Sequence, residues 1–419
     1  MYVSSTYYPN ENKTMPWIEA LVKFDEMIKY LTFLCCVIHF IFPCTSFHPL
    51  ISTKVFPSDI KKKARFILQD SNPQYNKGIN NNFRSQISFS LSSTNIAEKP
   101  GEEKFVNNGD FKISTKVYHH DGWTLTYKHK EALLKTSASS STLPTLFLIH
   151  PVGIGLSNWF WDRIFDLWQG EIYAPNLIGC GCNDISDDNI SGDAWDPEKR
   201  GLFFPLDWVK GCETLLYTIV DKECIVVTQG GLAPIGVLLA HRDSQRISQQ
   251  FSDGATGSYV KNLILASPPI WKDMITPVPE SELEKNYNLL KSPILGSLVF
   301  TILETKWAID FFSNLFLFYE KCDEEWLLKA LNECAKNVRP PVMAFNAGLL
   351  NNRSFEQEMK EILQPTLVLV GDADKRTKDR IGYTQEMKNC IIQEINSGCN
   401  VLPWENAEET CDAIATFSS

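Results

Sequence analysis

The sequence has no histidine beyond position 241. The seven are His39, His48, His119, His120, His129, His150 and His241, so the C-terminal part of the chain offers no imidazole for general-base work. Serine is missing from the stretch between Leu215 and Leu239. Clustered positive charge is also missing: 40 Lys and Arg face 50 Asp and Glu, a net charge of -10. Neutralising phosphates needs clustered Lys and Arg, so no nucleic-acid partner is expected. The twelve cysteines are scattered and lack paired metal-ligand spacing. Cys180-Gly181-Cys182 supplies only half a zinc site, and the pattern is not that of a disulfide framework. Neither a metal nor a cofactor is expected. One long apolar run exists, at residues 30–44 (YLTFLCCVIHFIFPC). It is too short, and too polar at His39, to span a bilayer comfortably, so no stable membrane span is expected in the mature protein.

That run has the length of a signal-peptide core, and Lys29 precedes it. Residues 1–46 are therefore read as a leader with a signal-peptide-like segment. The string Thr45-Ser46-Phe47-His48-Pro49 resembles the cleavage motif of plastid precursors in which phenylalanine opens the transit peptide. From Phe47 to Ala97 only Asp59 and Asp70 are acidic, against Lys54, Lys61, Lys62, Lys63, Arg65, Lys77 and Arg84. Ser, Thr and Asn abound, and no apolar period is sustained. Residues 47–104 are thus read as a transit-peptide-like, disordered segment. A plastid address through a bipartite presequence follows. A plain secretory signal, or a membrane anchor followed by a linker, fits the same residues.

From residue 105 to the end, short apolar runs alternate with longer amphipathic stretches, the pattern of a mostly parallel sheet covered by helices. Strands are read at Thr145–His150, Glu171–Pro175, Cys224–Thr228, Asn262–Ala266 and Thr366–Val370. Their continuous apolar character suits burial on both faces. An opening hairpin turns at His120-Asp121-Gly122. Arg242–Ser258 is polar and Gly/Ser-rich and reads as a surface loop. Residues of about 275–350 hold several helical patterns, including Leu298–Phe318 and Glu324–Ala335, and read as a helical cap.

The motifs in this body resemble those of the α/β-hydrolase fold. Leu148-Ile149-His150-Pro151-Val152-Gly153, with Trp159 and Trp161 following, looks like the oxyanion-side loop. Ala174-Pro175-Asn176-Leu177-Ile178-Gly179-Cys180-Gly181 looks like the segment after the next strand, with Asn176 in place of the usual aspartate. Val226–Ala233 stands where G-x-S-x-G belongs, Gly371–Asp374 where the acid belongs, and Gly398–Glu405 where the histidine loop belongs. The strings HPVGIGLS and NVLPWE further resemble a cyanobacterial and plastid subgroup of the fold.

The resemblance implies a serine at the elbow, a histidine after the last strand and an acid to orient it. This sequence has Gly230 at the nucleophile position, Asn400 at the histidine-loop position and Asp374 at the acid position. The implied oxyanion donors, the N–H groups of Val152 and Gly231, are retained, with His150 and Gly153 in the same loop. Three readings follow. The chain binds a small, largely apolar ligand under the cap without Ser–His–Asp hydrolysis. Alternatively it is a hydrolase or lyase on a small ester or acyl substrate, using Asp374, Glu405, Cys180 or Cys399. Or it is a structural subunit without a ligand. Initiation at Met27 would give Met27-Ile28-Lys29 directly before the apolar run. Ribosome profiling is expected to place the start there, and initiation at Met1 would overturn that reading.

Overall fold

A computed structural model describes residues 113–132, 143–181, 206–250, 257–336 and 339–419. The leader and transit-like segments expected at 1–46 and 47–104 lie outside the described residues, as does Cys182. All described residues fall within one unit, Ala97–Ser419.

The apolar runs become the strands of one sheet. They are β1 (Ile113–His120), β2 (Trp123–Lys130), β3 (Leu146–Ile149), β4 (Ile172–Pro175), β5 (Cys224–Gln229), β6 (Val260–Ala266), β7 (Thr366–Gly371) and β8 (Cys390–Ile395). Their spatial order is β1-β2-β4-β3-β5-β6-β7-β8. The hairpin β1–β2 is antiparallel, β2 pairs antiparallel with β4, and β4 through β8 run parallel. This is the α/β-hydrolase fold that the motif order implied. The hairpin closes through Asp121 and Gly122, both at positive φ, which matches the twist of a two-residue turn. β3, β4, β5 and β7 are buried along their whole length, which is why they read as unbroken apolar runs. β8 escaped the sequence reading: it closes the sheet, only Ile395 is buried, and its exposed positions carry no clean apolar pattern.

Helices cover the sheet. In chain order they are α1 (Asp162–Leu167), α2 (Leu206–Leu215), α3 (Ala233–Gln250) and α4 (Trp271–Ile275). Between α4 and β7 come α5 (Glu280–Lys291), α6 (Leu295–Leu303), α7 (Lys306–Phe316), α8 (Glu324–Cys334), α9 (Arg339–Ala347) and α10 (Glu356–Glu361). After β7 follow α11 (Gly382–Glu386), α12 (Leu402–Glu405) and α13 (Ala407–Ser418). No helix among the described residues is long and apolar enough to cross a membrane.

The loop expected at Arg242–Ser258 is corrected over its first half, because α3 continues to Gln250. Its polarity serves packing of another kind. The Asp243 carboxylate is fully buried and accepts from Arg246, from the Ser258 hydroxyl and from the Val260 N–H. His241 bonds to Glu361, and Arg242 to Glu213. A polar stretch can be helical when neighbouring elements supply its partners.

The helices α5–α9 inserted between β6 and β7, the cap, are fastened to the rest of the domain by three indoles. Trp159 follows the loop after β3, Trp326 lies on α8, and Trp404 lies on α12. Trp159 meets Trp326 and Trp404 edge-on at 5.2 Å each, and Trp326 meets Trp404 at 5.5 Å. Each indole N–H is satisfied: Trp159 donates to the Gly155 carbonyl, Trp326 to the Ser313 hydroxyl and Trp404 to the Asp323 carboxylate. Asp323 also caps α8 by accepting from the Trp326 N–H. Arg163 of α1 completes the joint. It donates to Asp323 and to the Trp404 carbonyl, and its guanidinium lies 4.3 Å above the Trp404 ring. Removing the central indole opens a cavity where the cap meets the body. Trp326→Ala is expected to cost about 3–5 kcal/mol in urea unfolding, and Trp326→Phe clearly less.

Candidate functional site

The chain leaves β5 at Gln229, which is still extended, and turns at Gly230 with φ +60°. A short 3-10 turn, Gly230–Leu232, then leads into α3. This is the strand–turn–helix elbow. A left-handed apex costs a non-glycine residue roughly 1–2 kcal/mol, so glycine rests there without strain. A Cβ built on Gly230 meets no heavy atom within 4 Å, whereas one on Gly231 would come within 2.6 Å of the Phe345 ring from α9. Among the described residues the space beside the Gly230 Cα is open, and the Phe345 ring lies against the residue after it.

β3 and β5 are neighbours, with Ile149 paired to Thr228. The loops that leave them, carrying Val152 and Gly231, therefore start at the same level. Gly231 lies in the first turn of a helical segment, where N–H groups have no intrahelical acceptor. Among the described residues no acceptor faces the Val152 N–H. The Gly153 carbonyl accepts from Leu156 at 3.2 Å and shapes the loop.

His150, at the start of the loop after β3, is completely buried. The Leu177 N–H donates to its Nε2 at 3.1 Å, so the proton resides on Nδ1, which donates to the Pro151 carbonyl at 2.8 Å. Burial, opposed only weakly by the Pro151 carbonyl, pushes its pKa down to about 4. The imidazole is a neutral tie between the loops after β3 and β4. Asn176 completes that tie: its Oδ1 accepts from the Asn158 N–H and its Nδ2 donates to the Thr126 hydroxyl.

Asn400 is a joint. Its N–H donates to the Leu317 carbonyl at 2.9 Å and its Nδ2 to the Phe316 carbonyl at 2.8 Å. Both are orphan carbonyls at the end of α7. The Asn400 carbonyl in turn accepts from Gln229 Nε2 at 2.5 Å, so this residue links the cap to the elbow. Asp374 is equally committed. One oxygen accepts from the Arg376 N–H at 2.9 Å, the other from Arg380 at 2.6 Å. Arg380 is itself buried and donates to the Pro268 carbonyl.

The other candidates are also engaged. Glu405 accepts from the N–H groups of Tyr319, Glu320 and Cys399. Burial raises its pKa, partly offset by those donors. Burial pushes the Cys180 thiol far up, with Glu333 adding to it. The Cys399 thiol is pushed up to about 11 by burial and by Asp374 and Glu405. Both cysteines are thiols at neutral pH, not the thiolates that nucleophilic attack needs.

Two polar groups that the sequence did not single out as a site stand at the same edge. Gln229 is buried, and its Oε1 has no partner among the described residues. Gln229 pairs with Ala266 of β6, so Ser267 is level with Gly230 on the neighbouring strand. Ser267 is buried, holds φ +45°, and its hydroxyl has no partner among the described residues. A non-glycine residue in that conformation at the C-terminal edge of a sheet marks stored strain. The Ser-Pro-Pro string after β6 was the one sequence signal available. No group of three or more potential metal ligands occurs among the described residues.

No family model and no curated protein matches the sequence. Among solved structures the chain is similar to a loop variant of haloalkane dehalogenase DbeA from Bradyrhizobium elkanii, with TM-score 0.48, 17% identity, and 73% of this chain and 96% of that one covered. It is also similar to the CarC serine hydrolase involved in carbazole degradation, with TM-score 0.49, 12% identity, and 73% and 98% covered.

The His150 tie has a pH signature. Its pKa falls from the ordinary 6.5 to about 4 on folding, so between those values the unfolded chain holds more protons. The stability it contributes is complete above about pH 6.5 and is lost as the pH falls toward about 4. Urea midpoints measured across this window are expected to slope less in His150→Gln than in the native chain.

Proposed function

We propose that this is an α/β-hydrolase-fold protein that binds a small, uncharged, largely apolar ligand beneath its cap and does not hydrolyse it through a Ser–His–Asp relay. The observation that carries this reading is the open space beside Gly230 among the described residues, with two buried polar atoms that have no partner among them, Gln229 Oε1 on the preceding residue and Ser267 Oγ on the neighbouring strand. Such groups cost free energy unless something bonds them. A ligand head with an N–H or O–H meets Gln229 Oε1, and its carbonyl oxygen meets the Val152 and Gly231 N–H groups. Ser267 adds a hydroxyl beside it. The three triad positions support the loss of hydrolysis: Gly230 has no side chain, Asn400 holds the end of α7, and Asp374 holds Arg380. Hydrolysis through Glu405, Cys180 or Cys399 finds no support, since each is buried, bonded or un-ionised. We place the protein in a plastid, on the signal-like run and the Phe47 motif of the sequence.

Mass spectrometry under native conditions tests the binding. A small molecule is expected to co-purify with the chain and to be lost in Gly230→Leu, which fills the space. Retention of the same molecule by Gly230→Leu would refute the site. Gly230→Ser is expected to show no ester hydrolysis above buffer, because no imidazole stands at position 400.

A further inference from the structure

Thirteen large apolar side chains are well exposed among the described residues, and six of them fall between Ile294 and Tyr319. They are Ile294, Leu295, Leu298, Trp307, Leu315 and Tyr319, all on or beside α6 and α7. The inner face of α6 is anchored. Gly296 lies against the Leu290 carbonyl at the end of α5, and Phe300 is buried beneath the Arg339 guanidinium. The outer face has no such partner among the described residues. Ile294 is 78% exposed, Leu295 52% and Leu298 47%, with Val299 and Ile302 half-buried beside them. On α7 exposed Trp307 and Leu315 share a face at helical spacing with half-buried Phe311, whose ring stacks on Trp307 at 5.7 Å.

Residues 292–303 contain no charge, and exposed Lys291 and Lys306 bracket the stretch. Aliphatic tips, aromatic borders and flanking lysines are what a helix lying in a bilayer interface presents. The rest of the molecule disfavours an anionic surface. The net charge is -10, Lys306 is already paired with Glu324, and Arg339 with Glu304. At nine residues α6 is far too short to cross a bilayer.

We propose that the outer face of α6 and α7 docks on the surface of an uncharged lipid bilayer, inserting Ile294, Leu295 and Leu298 with Trp307 at the boundary. This surface is independent of the ligand site under the cap. Burial of apolar area drives it, and attraction between charges contributes little.

Flotation of the full chain with zwitterionic phosphatidylcholine vesicles tests the proposal. Binding is expected, changing less than about twofold between low and high salt because it does not rest on ionic contacts. Adding anionic lipid is expected not to strengthen it. The double variant Ile294→Glu/Leu298→Glu is expected to lower vesicle partition by at least about tenfold, since two buried side chains are lost. Its thermal midpoint should not change, because both positions are exposed. Ile391→Glu, on the exposed side of β8, serves as the control and is expected to bind as the native chain does. Three results overturn the proposal. One is no binding to vesicles. Another is unchanged binding by the double variant, which would assign it to the apolar run at residues 30–44. The third is light scattering that shows a dimer dissolved by the same double variant, which would make the face a contact between two copies.

Discussion

The nest of Trp159, Trp326 and Trp404 is the contact on which the site depends. Each indole comes from a different functional segment: the loop after β3, the cap and the loop after β8. Edge-on packing at 5.2–5.5 Å fixes their mutual orientation. Satisfied indole N–H groups remove the penalty of burying them. Asp323 and Arg163 sit at the rim and convert an apolar contact into a directional one. Because of this nest the cap is held to both loops that frame the elbow.

Around that joint, Asn400 and Asp374 hold neighbouring elements in place. The side chain of Asn400 saturates the end of α7, and that of Asp374 neutralises a buried arginine. A helix end and a buried guanidinium both demand partners, and these residues supply them. Hydrogen bonds run from Gln229 through Asn400 to the end of α7. The backbone of the elbow, by contrast, keeps the geometry of the fold. Gly230 adopts the left-handed apex at no steric cost.

The cap has two faces of different character. Phe345 looks inward onto Gly231, while α6 and α7 turn aliphatic and aromatic side chains outward. A helix without charge has more hydrophobic surface than its own packing consumes. In α6 the surplus lies on the outer side because Gly296 permits a close approach on the inner one.

The sequence by itself determined the fold and the vacancy at the elbow. Buried parallel strands read as unbroken apolar runs, their order is carried by motifs in series, and the missing serine and C-terminal histidine are facts of composition. It did not disclose β8, whose exposed edge leaves no periodic trace, or the second half of α3, whose polar side chains find partners on distant elements. Tertiary structure alone decided what the substituted residues do. That Asn400 bonds a helix end, that Asp374 pairs with Arg380, and that Gln229 Oε1 and the Ser267 hydroxyl are buried without partners among the described residues are relations between residues on different elements. No local pattern encodes such relations, because burial and hydrogen-bond pairing are set by what packs alongside in space.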